Sequence, residues 1–421
     1  MGGPDNGRMQ VAKEYYQRQV ESSNLPRDML DEIPRFSMDE VEGGALLGTG
    51  GFCSVQEVKG FNLPDEVEKV QDDHDDYDET EAEDTFEIGG DAELDAGEVE
   101  SRKFIAKHCF RSNGDARYAI KILKPEIIAD ENGFMNGTVD LASETDFLSA
   151  LEHPNIIKLR GVALKEDLFK PSYFLILDRL YDTLESRIPK WKAQEESAGA
   201  KKIFKSKTQK KLLKEAKEER MESVMDLASA VAYLHERKVI HRDLKSENIG
   251  FDVRGDIKMF DLGLAKEIPK DAAPGAEFNF TGLCGTPRYM APEVGLSKPY
   301  NERSDVYSLS LLGWEILELA LPFASLQSSE RFLHFVWKED GPKMRPPISK
   351  KMSSTIKTLL EKGWSGNYKE RPSASEFEDS MRKECVAFNQ ELGVNPGGRR
   401  STYIFVKGHG EQVNENKRKT V

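Results

Sequence analysis

Cysteine is scarce in this chain, and its placement excludes two architectures. Four thiols, Cys53, Cys109, Cys284 and Cys385, are spread over 421 residues with no C-x-x-C pair. Such spacing supports neither a disulfide framework nor a zinc site. A reducing compartment is expected, the cytoplasm first and the nucleus second. Long uncharged apolar runs are missing too. The best stretch, VYSLSLLGWEILELALPF, is broken by Glu315 and Glu318 and reads as a buried helix, so no membrane span is expected. The opening MGGPDNGRMQ lacks the apolar core of a secretory leader. No internal repeat is visible.

Charge is abundant and unevenly placed. The formal net charge is −14, but residues 65 to 100 hold eighteen Asp or Glu and one Lys. That segment alone carries −17, which leaves about +3 for the rest. Its low hydrophobicity predicts a solvated, disordered insertion over about 62–100. Residues 190 to 220 are the reverse, with eleven Lys or Arg against five Glu. A nucleic-acid tract would interleave aromatics for base stacking, and only Phe204 follows Trp191 here. A solvated loop leading into a helix is the reading, with no nucleic-acid partner.

Local patterns divide the remainder. Residues 1–40 form a polar extension with one helical stretch, VAKEYYQRQVESS. Residues 45 to 58 alternate like two strands around a glycine turn, and ARYAIKIL and SYFLILDRL read as further strands. DLASETDFLSALE has helical apolar spacing, and MESVMDLASAVAYLHE is amphipathic, with Met221, Val224, Met225, Ala228, Val231 and Leu234 on one face. A β-rich start with one main helix and a mainly helical second half imply an α+β fold of two lobes around a cleft. The expected limits are 41–177 for the small lobe and 181–387 for the large one. A polar basic tail over 388–421 follows.

Several motifs carry chemistry. In HRDLKSEN, residues 241 to 248, Asp243 can accept a proton from an attacking hydroxyl, and Asn248 can hold a metal through its amide oxygen. Lys245 can neutralise a transferring phosphoryl group. Thirteen residues after Asn248 comes DLG, where Asp261 can bind Mg²⁺ and Gly263 can let the chain turn. The stretch LLGTGGFCSV, residues 46 to 55, nearly spells the glycine pattern of a loop folded over phosphates, with Cys53 in place of its third glycine.

With GTPRYMAPE at 285 to 293 added, the chain resembles a eukaryotic protein kinase over roughly 41 to 387. FTGLCGTPRYMAPEV followed by YNERSDVYSLSLLGWEIL is most similar to the tyrosine-kinase-like group, whose members mostly phosphorylate Ser and Thr. The resemblance implies transfer of the ATP γ-phosphate to Ser or Thr hydroxyls of protein substrates, with Mg²⁺. Lys245 and Thr286 are the Ser/Thr-type choices. A pseudokinase scaffold and a dual-specificity or tyrosine kinase are the alternatives.

The same resemblance assigns residues. Lys121 in YAIK would hold the phosphates and pair with Glu144. Glu293 would pair with Arg371, and Asp305 would brace the catalytic loop. Leu47, Gly48, Thr49, Gly50, Gly51, Phe52, Val55 and Ala119 would line the nucleotide, with Phe52 capping it. Leu177 would be the gatekeeper, Asp178 the first hinge residue and Leu180 the backbone contact to adenine. Arg242, with Lys266 as a second positive group, would bind a phosphorylated Thr281. Cys53 would put a thiol on the rim of the nucleotide site.

Overall fold

The computed structural model describes residues 6–26, 30–64, 96–164, 168–199, 207–338 and 340–391. Most of the acidic run, the middle of the basic tract and most of the basic tail lie outside the described residues.

The small lobe is a six-stranded sheet with helices on it. In chain order its elements are α1 (Asn6–Glu21), β1 (Arg35–Phe36), β2 (Val41–Thr49), β3 (Cys53–Phe61), α2 (Ala96–Lys107), β4 (Tyr118–Leu123), α3 (Pro125–Ala129), α4 (Glu131–Ala150), β5 (Leu159–Ala163) and β6 (Phe174–Asp178). The sheet order is β1-β5-β6-β4-β3-β2. Every neighbouring pair is antiparallel except β1 with β5. β4 and β6 are buried almost throughout, as expected for near-continuous apolar strands. Their register sets Ala119 beside Leu177 and Val55 beside Lys121.

The large lobe contains β7 (Asp182–Thr183), α5 (Leu184–Gly199), α6 (Lys207–Glu236), β8 (Val239–Ile240), β9 (Ile249–Phe251), β10 (Ile257–Met259), β11 (Lys266–Glu267), α7 (Pro292–Gly295), α8 (Arg303–Glu318), α9 (Ser329–Phe332), α10 (Ser354–Gly363) and α11 (Ala374–Glu391). Helix α8 is its axis: Ser304 through Ile316 are all buried. Helix α6 packs its apolar face on α8 and α11, with Val224, Ala228, Val231 and Leu234 fully enclosed.

Four boundaries differ from the sequence reading. β1 lies inside the expected extension, yet it pairs with β5 and buries Phe36. Helix α2 begins at Ala96, inside the expected insertion, and is docked by a buried Arg102–Glu40 ion pair with Arg102 over the Phe36 ring. Among the described residues the small lobe thus carries α4 as its main helix, with α1, α2 and α3 in addition. The described part of the basic tract is helix, not loop: it belongs to α5 and α6, and Trp191 is buried edge-on against Phe251. Sequence charge had suggested solvation, and helical phase resolves it by turning one side inward. The last helix also runs to Glu391, past the expected limit at 387.

One buried acid stands out beneath the catalytic loop. Glu315 of α8 is 3% exposed and accepts a bond of 2.7 Å from the Tyr289 hydroxyl, which also meets Ser246 at 2.9 Å. Burial pushes its carboxyl up to about 8, and the like charge of Glu247 adds to the shift. A carboxyl raised on folding gives stability that is complete below its unfolded value and is lost as pH rises through the folded one. Urea midpoints from about pH 5 to about pH 9 should therefore fall more steeply for wild type than for Glu315→Gln. Parallel profiles would show that Glu315 is ionised at neutral pH.

Candidate active site

The cleft between the lobes is built around Lys121. Its Nζ meets Glu144 of α4 and lies 3.2 Å from Asp261 Oδ1. Burial alone would lower the Lys121 pKa, but the charges of Asp261 and Glu144 outweigh it and keep the ammonium charged. The same ammonium holds the Asp261 carboxyl below its ordinary value. Asp261 has a left-handed φ of 66°, a conformation that costs a non-glycine residue energy and that clusters at functional sites. Leu262, where Phe is usual, is fully buried, so leucine fills the apolar slot.

Facing this line is the Asp243 carboxylate. It accepts from Lys245 Nζ at 2.6 Å, from the Thr286 amide at 2.9 Å and from the Thr286 hydroxyl at 3.0 Å. Asn248 Nδ2 donates to the Asp243 carbonyl at 3.0 Å and to its carboxylate at 3.2 Å, which fixes which end of the amide carries oxygen. Asp305 Oδ2 accepts from the His241 amide at 2.8 Å and Oδ1 from the Arg242 amide at 2.9 Å, and His235 Nε2 lies 3.0 Å away. That carboxylate ties the catalytic loop to α8. Glu293 and Arg371 pair through two bonds, at 2.5 and 2.7 Å, with both residues buried. Gly285 has φ +97°, and a Cβ there would collide with the Arg242 carbonyl, so the segment before Thr286 requires glycine.

The chain itself makes no such demand in the glycine loop. Gly48 and Gly51 lack positive φ, and a Cβ at either would meet nothing within 4 Å. Glycine there leaves the space above the cleft open to an occupant, as phosphates need. Thr49 ends β2 and Leu47 and Val55 flank the loop on β2 and β3. Phe52 is the last residue before β3. It packs on α4 at Gly137, and its carbonyl accepts from the Lys124 amide at 3.0 Å, because the missing side chain of Gly137 leaves a notch. The hinge is pinned on both sides of Leu180: Arg179 N bonds to the Arg117 carbonyl at 2.8 Å and Tyr181 N to the Phe251 carbonyl at 2.9 Å. Asp178 turns its side chain away, into a two-bond pair with Arg160 at 2.7 and 3.0 Å, and so offers the cleft only main chain.

Two further residues refine the picture. Cys53 is buried instead of lying on the rim, because the strand register turns its side chain inward opposite Leu123. Asp140 went unnoticed in the sequence. It lies one helical turn before Glu144 on the same face, and a Cβ at Gly263 would overlap its carboxylate. Burial raises the Asp140 carboxyl to about 6. The spacing from Glu144 was the signal that could have found it.

The family model for the protein kinase domain matches residues 105–381. The chain belongs to the protein kinase family. Its match starts after the glycine loop, which the fold nonetheless sets over Lys121 as β2 and β3 of the kinase sheet. Serine/threonine-protein kinase STY17 of Arabidopsis thaliana is 29% identical over 266 residues, covering 63% of this chain and 40% of the relative. Mitogen-activated protein kinase kinase kinase 13-B of Xenopus laevis is 30% identical over 237 residues, or 55% of this chain and 21% of that protein. Dual specificity protein kinase shkD of Dictyostelium discoideum is 34% identical over 159 residues, or 38% and 20%. The chain thus spans well under half the length of these relatives. The set agrees with the tyrosine-kinase-like resemblance of the activation segment.

Burial also decides which thiols of this kinase react. Cys53 is pushed up to about 12 and Cys385 likewise, Cys109 to about 11, all by desolvation first. Cys284 is the most exposed of the four. Thiolate, not thiol, is the nucleophile. Iodoacetamide at about pH 8 should label Cys284 first and leave Cys53 intact until the protein unfolds, as read by peptide mass spectrometry. Early labelling of Cys53 would mean that its strand opens readily in the native state.

Proposed function

We propose that this chain is an active protein kinase that moves the γ-phosphate of ATP to Ser or Thr hydroxyls of protein substrates. One observation carries the reading: Lys121, Glu144 and Asp261 form a continuous charged line, and Asp243 stands ready across from it with Lys245 and Thr286 as partners. A pseudokinase reading finds no support in that arrangement.

Lys121 neutralises the phosphates and is itself held by Glu144. Asp243 accepts the proton as the substrate oxygen bonds to phosphorus and the bond to the leaving ADP oxygen breaks. Lys245 offsets negative charge on the group in flight. Mg²⁺, with Asp261 and the Asn248 amide oxygen as its protein ligands, would supply charge neutralisation at the phosphates. Thr286 restrains Asp243, and with Lys245 it supports the choice of Ser and Thr. The scattered cysteines support a location in the cytoplasm.

Control through the activation segment belongs to the same proposal. Arg242 Nη2 donates to the Thr281 hydroxyl at 2.7 Å and to its carbonyl at 3.0 Å. A phosphoryl group on that hydroxyl would meet the guanidinium directly, and the Lys266 charge reaches nearby Cys284.

Labelled ATP with a generic protein substrate tests the reaction. Asp243→Ala should lose about 10²- to 10⁴-fold of the rate, and label should appear on phosphoserine and phosphothreonine. Equal incorporation in both proteins would overturn the enzyme reading, and label confined to phosphotyrosine would overturn the Ser/Thr one. Thr281→Ala should lower the rate and abolish its loss on phosphatase treatment. If the variant kept wild-type activity and phosphatase sensitivity, Thr281 would not be the control point.

A further inference from the structure

Helix α1 lies outside the matched kinase domain, yet it is packed into the lobe that holds Lys121. Tyr16 is buried, with its ring edge-on to Phe169 at 5.5 Å and Ala142 of α4 completing the cluster. Val20 joins from α1, and Met135 and Val139 join from α4. Met135, Val139 and Ala142 fall on one face of α4 at helical spacing. Gly137, Asp140 and Glu144 fall on another, toward the cleft. Helix α4 is therefore held between α1 on its outer face and Lys121 on its inner one.

The chain leaving α1 then reaches the activation segment. Ser23 Oγ donates to Glu267 Oε1 at 2.5 Å, and the Asn24 amide donates to Oε2 at 2.7 Å. Asn24 Nδ2 adds a bond of 3.4 Å to the Ile268 carbonyl. Glu267 belongs to β11, six residues past Asp261, and its strand partner is Val239 of β8, just before the catalytic loop. Tyr16, Ser23, Ser143, Phe147 and Glu267 enclose a cavity of ≈ 30 Å³ where the three parts meet.

We propose that residues 10–26 act as an intramolecular clamp. The clamp presses α4 into the position in which Glu144 meets Lys121, and it ties that position to the start of the activation segment. Tyr16, Ser23 and Asn24 are then positioning residues, acting through Glu144 and Glu267. The proposal rests on the phosphotransfer reading for its effect on rate, but not for its effect on α4.

The Ser23 hydroxyl is the point at which the clamp can be opened. A carboxylate there would face Glu267 with like charge. In the full chain, Tyr16→Ala and Ser23→Asp should each speed amide exchange in α4 and over 266–268 by about tenfold, with α8 exchange unchanged as the internal reference for folding. Each should lower kcat by a similar factor and leave the KM for peptide unaltered. Glu267→Gln placed in the Ser23→Asp protein should recover most of both losses, which a merely structural defect would not do. Unchanged α4 exchange in both variants would overturn the clamp whatever the activity. Faster α4 exchange with wild-type kcat would overturn the positioning role. An inactive wild type, equal to Asp243→Ala, would sink the phosphotransfer reading instead, and exchange would still judge the clamp.

Discussion

Keeping the buried Lys121 ammonium charged is the constraint on which the small lobe depends. Removing such a charge from water costs several kcal/mol, and a buried pair returns that cost only with close geometry. Here the ammonium touches two carboxylates, Glu144 from α4 and Asp261 from the segment before β11. Neither carboxylate belongs to its own strand. The interaction is therefore a poor source of stability and a good reporter of alignment: it forms only when sheet, helix and activation segment are in register. Three independently placed elements must agree before the site exists.

The large lobe solves a different problem. Asp243 must keep its carboxylate oriented without losing the capacity to take a proton, so its oxygens are restrained by donors from two sides, Lys245 and Asn248 within the loop and Thr286 beyond it. The loop backbone is fastened from below by Asp305. Burial works against ionisation of Asp305, but bonds from His235 and the loop amides hold its carboxyl below the ordinary value. Helix α8 can serve as the anchor because it is buried along most of its length and has little freedom to shift. Chemistry thus rests on loops, and precision comes from the helix under them.

The catalytic loop was legible in the sequence because its contacts are short-range: Asp243, Lys245 and Asn248 lie within six residues and bond to one another. Lys121 and Glu144 were legible only through resemblance, since neither a strand lysine nor a helix glutamate is distinctive alone. The same limits explain the misses. β1 is two residues long, and no periodicity can announce a strand of that length. Helix α1 shows weak amphipathicity, and its significance lies in Tyr16 meeting Phe169, far away in the chain. Cys53 was read by its place in a glycine pattern, whereas strand register decided its direction. In each case the missing information was tertiary, not local.

The extra elements share a consequence. A lobe built on one sheet has a small core and a large surface, which makes it the weaker half of a two-lobed enzyme. Helix α1 covers the outer face of α4, and β1 with α2 extends the sheet at its β5 edge, closed by the Arg102–Glu40 pair and Phe36. Both additions lie away from the glycine loop, so they thicken the lobe without narrowing the cleft. Their attachment differs in kind. α2 is fastened to the sheet by a buried ion pair, which resists removal of either partner. The segment after α1 is fastened by hydrogen bonds to the partly exposed Glu267 carboxylate of β11 and to the Ile268 carbonyl beyond it, which water can replace at small cost. The first addition is fit to be permanent and the second to be reversible. Of the two, it is the second whose helix, α1, packs on the helix carrying Glu144, through Tyr16 and Val20.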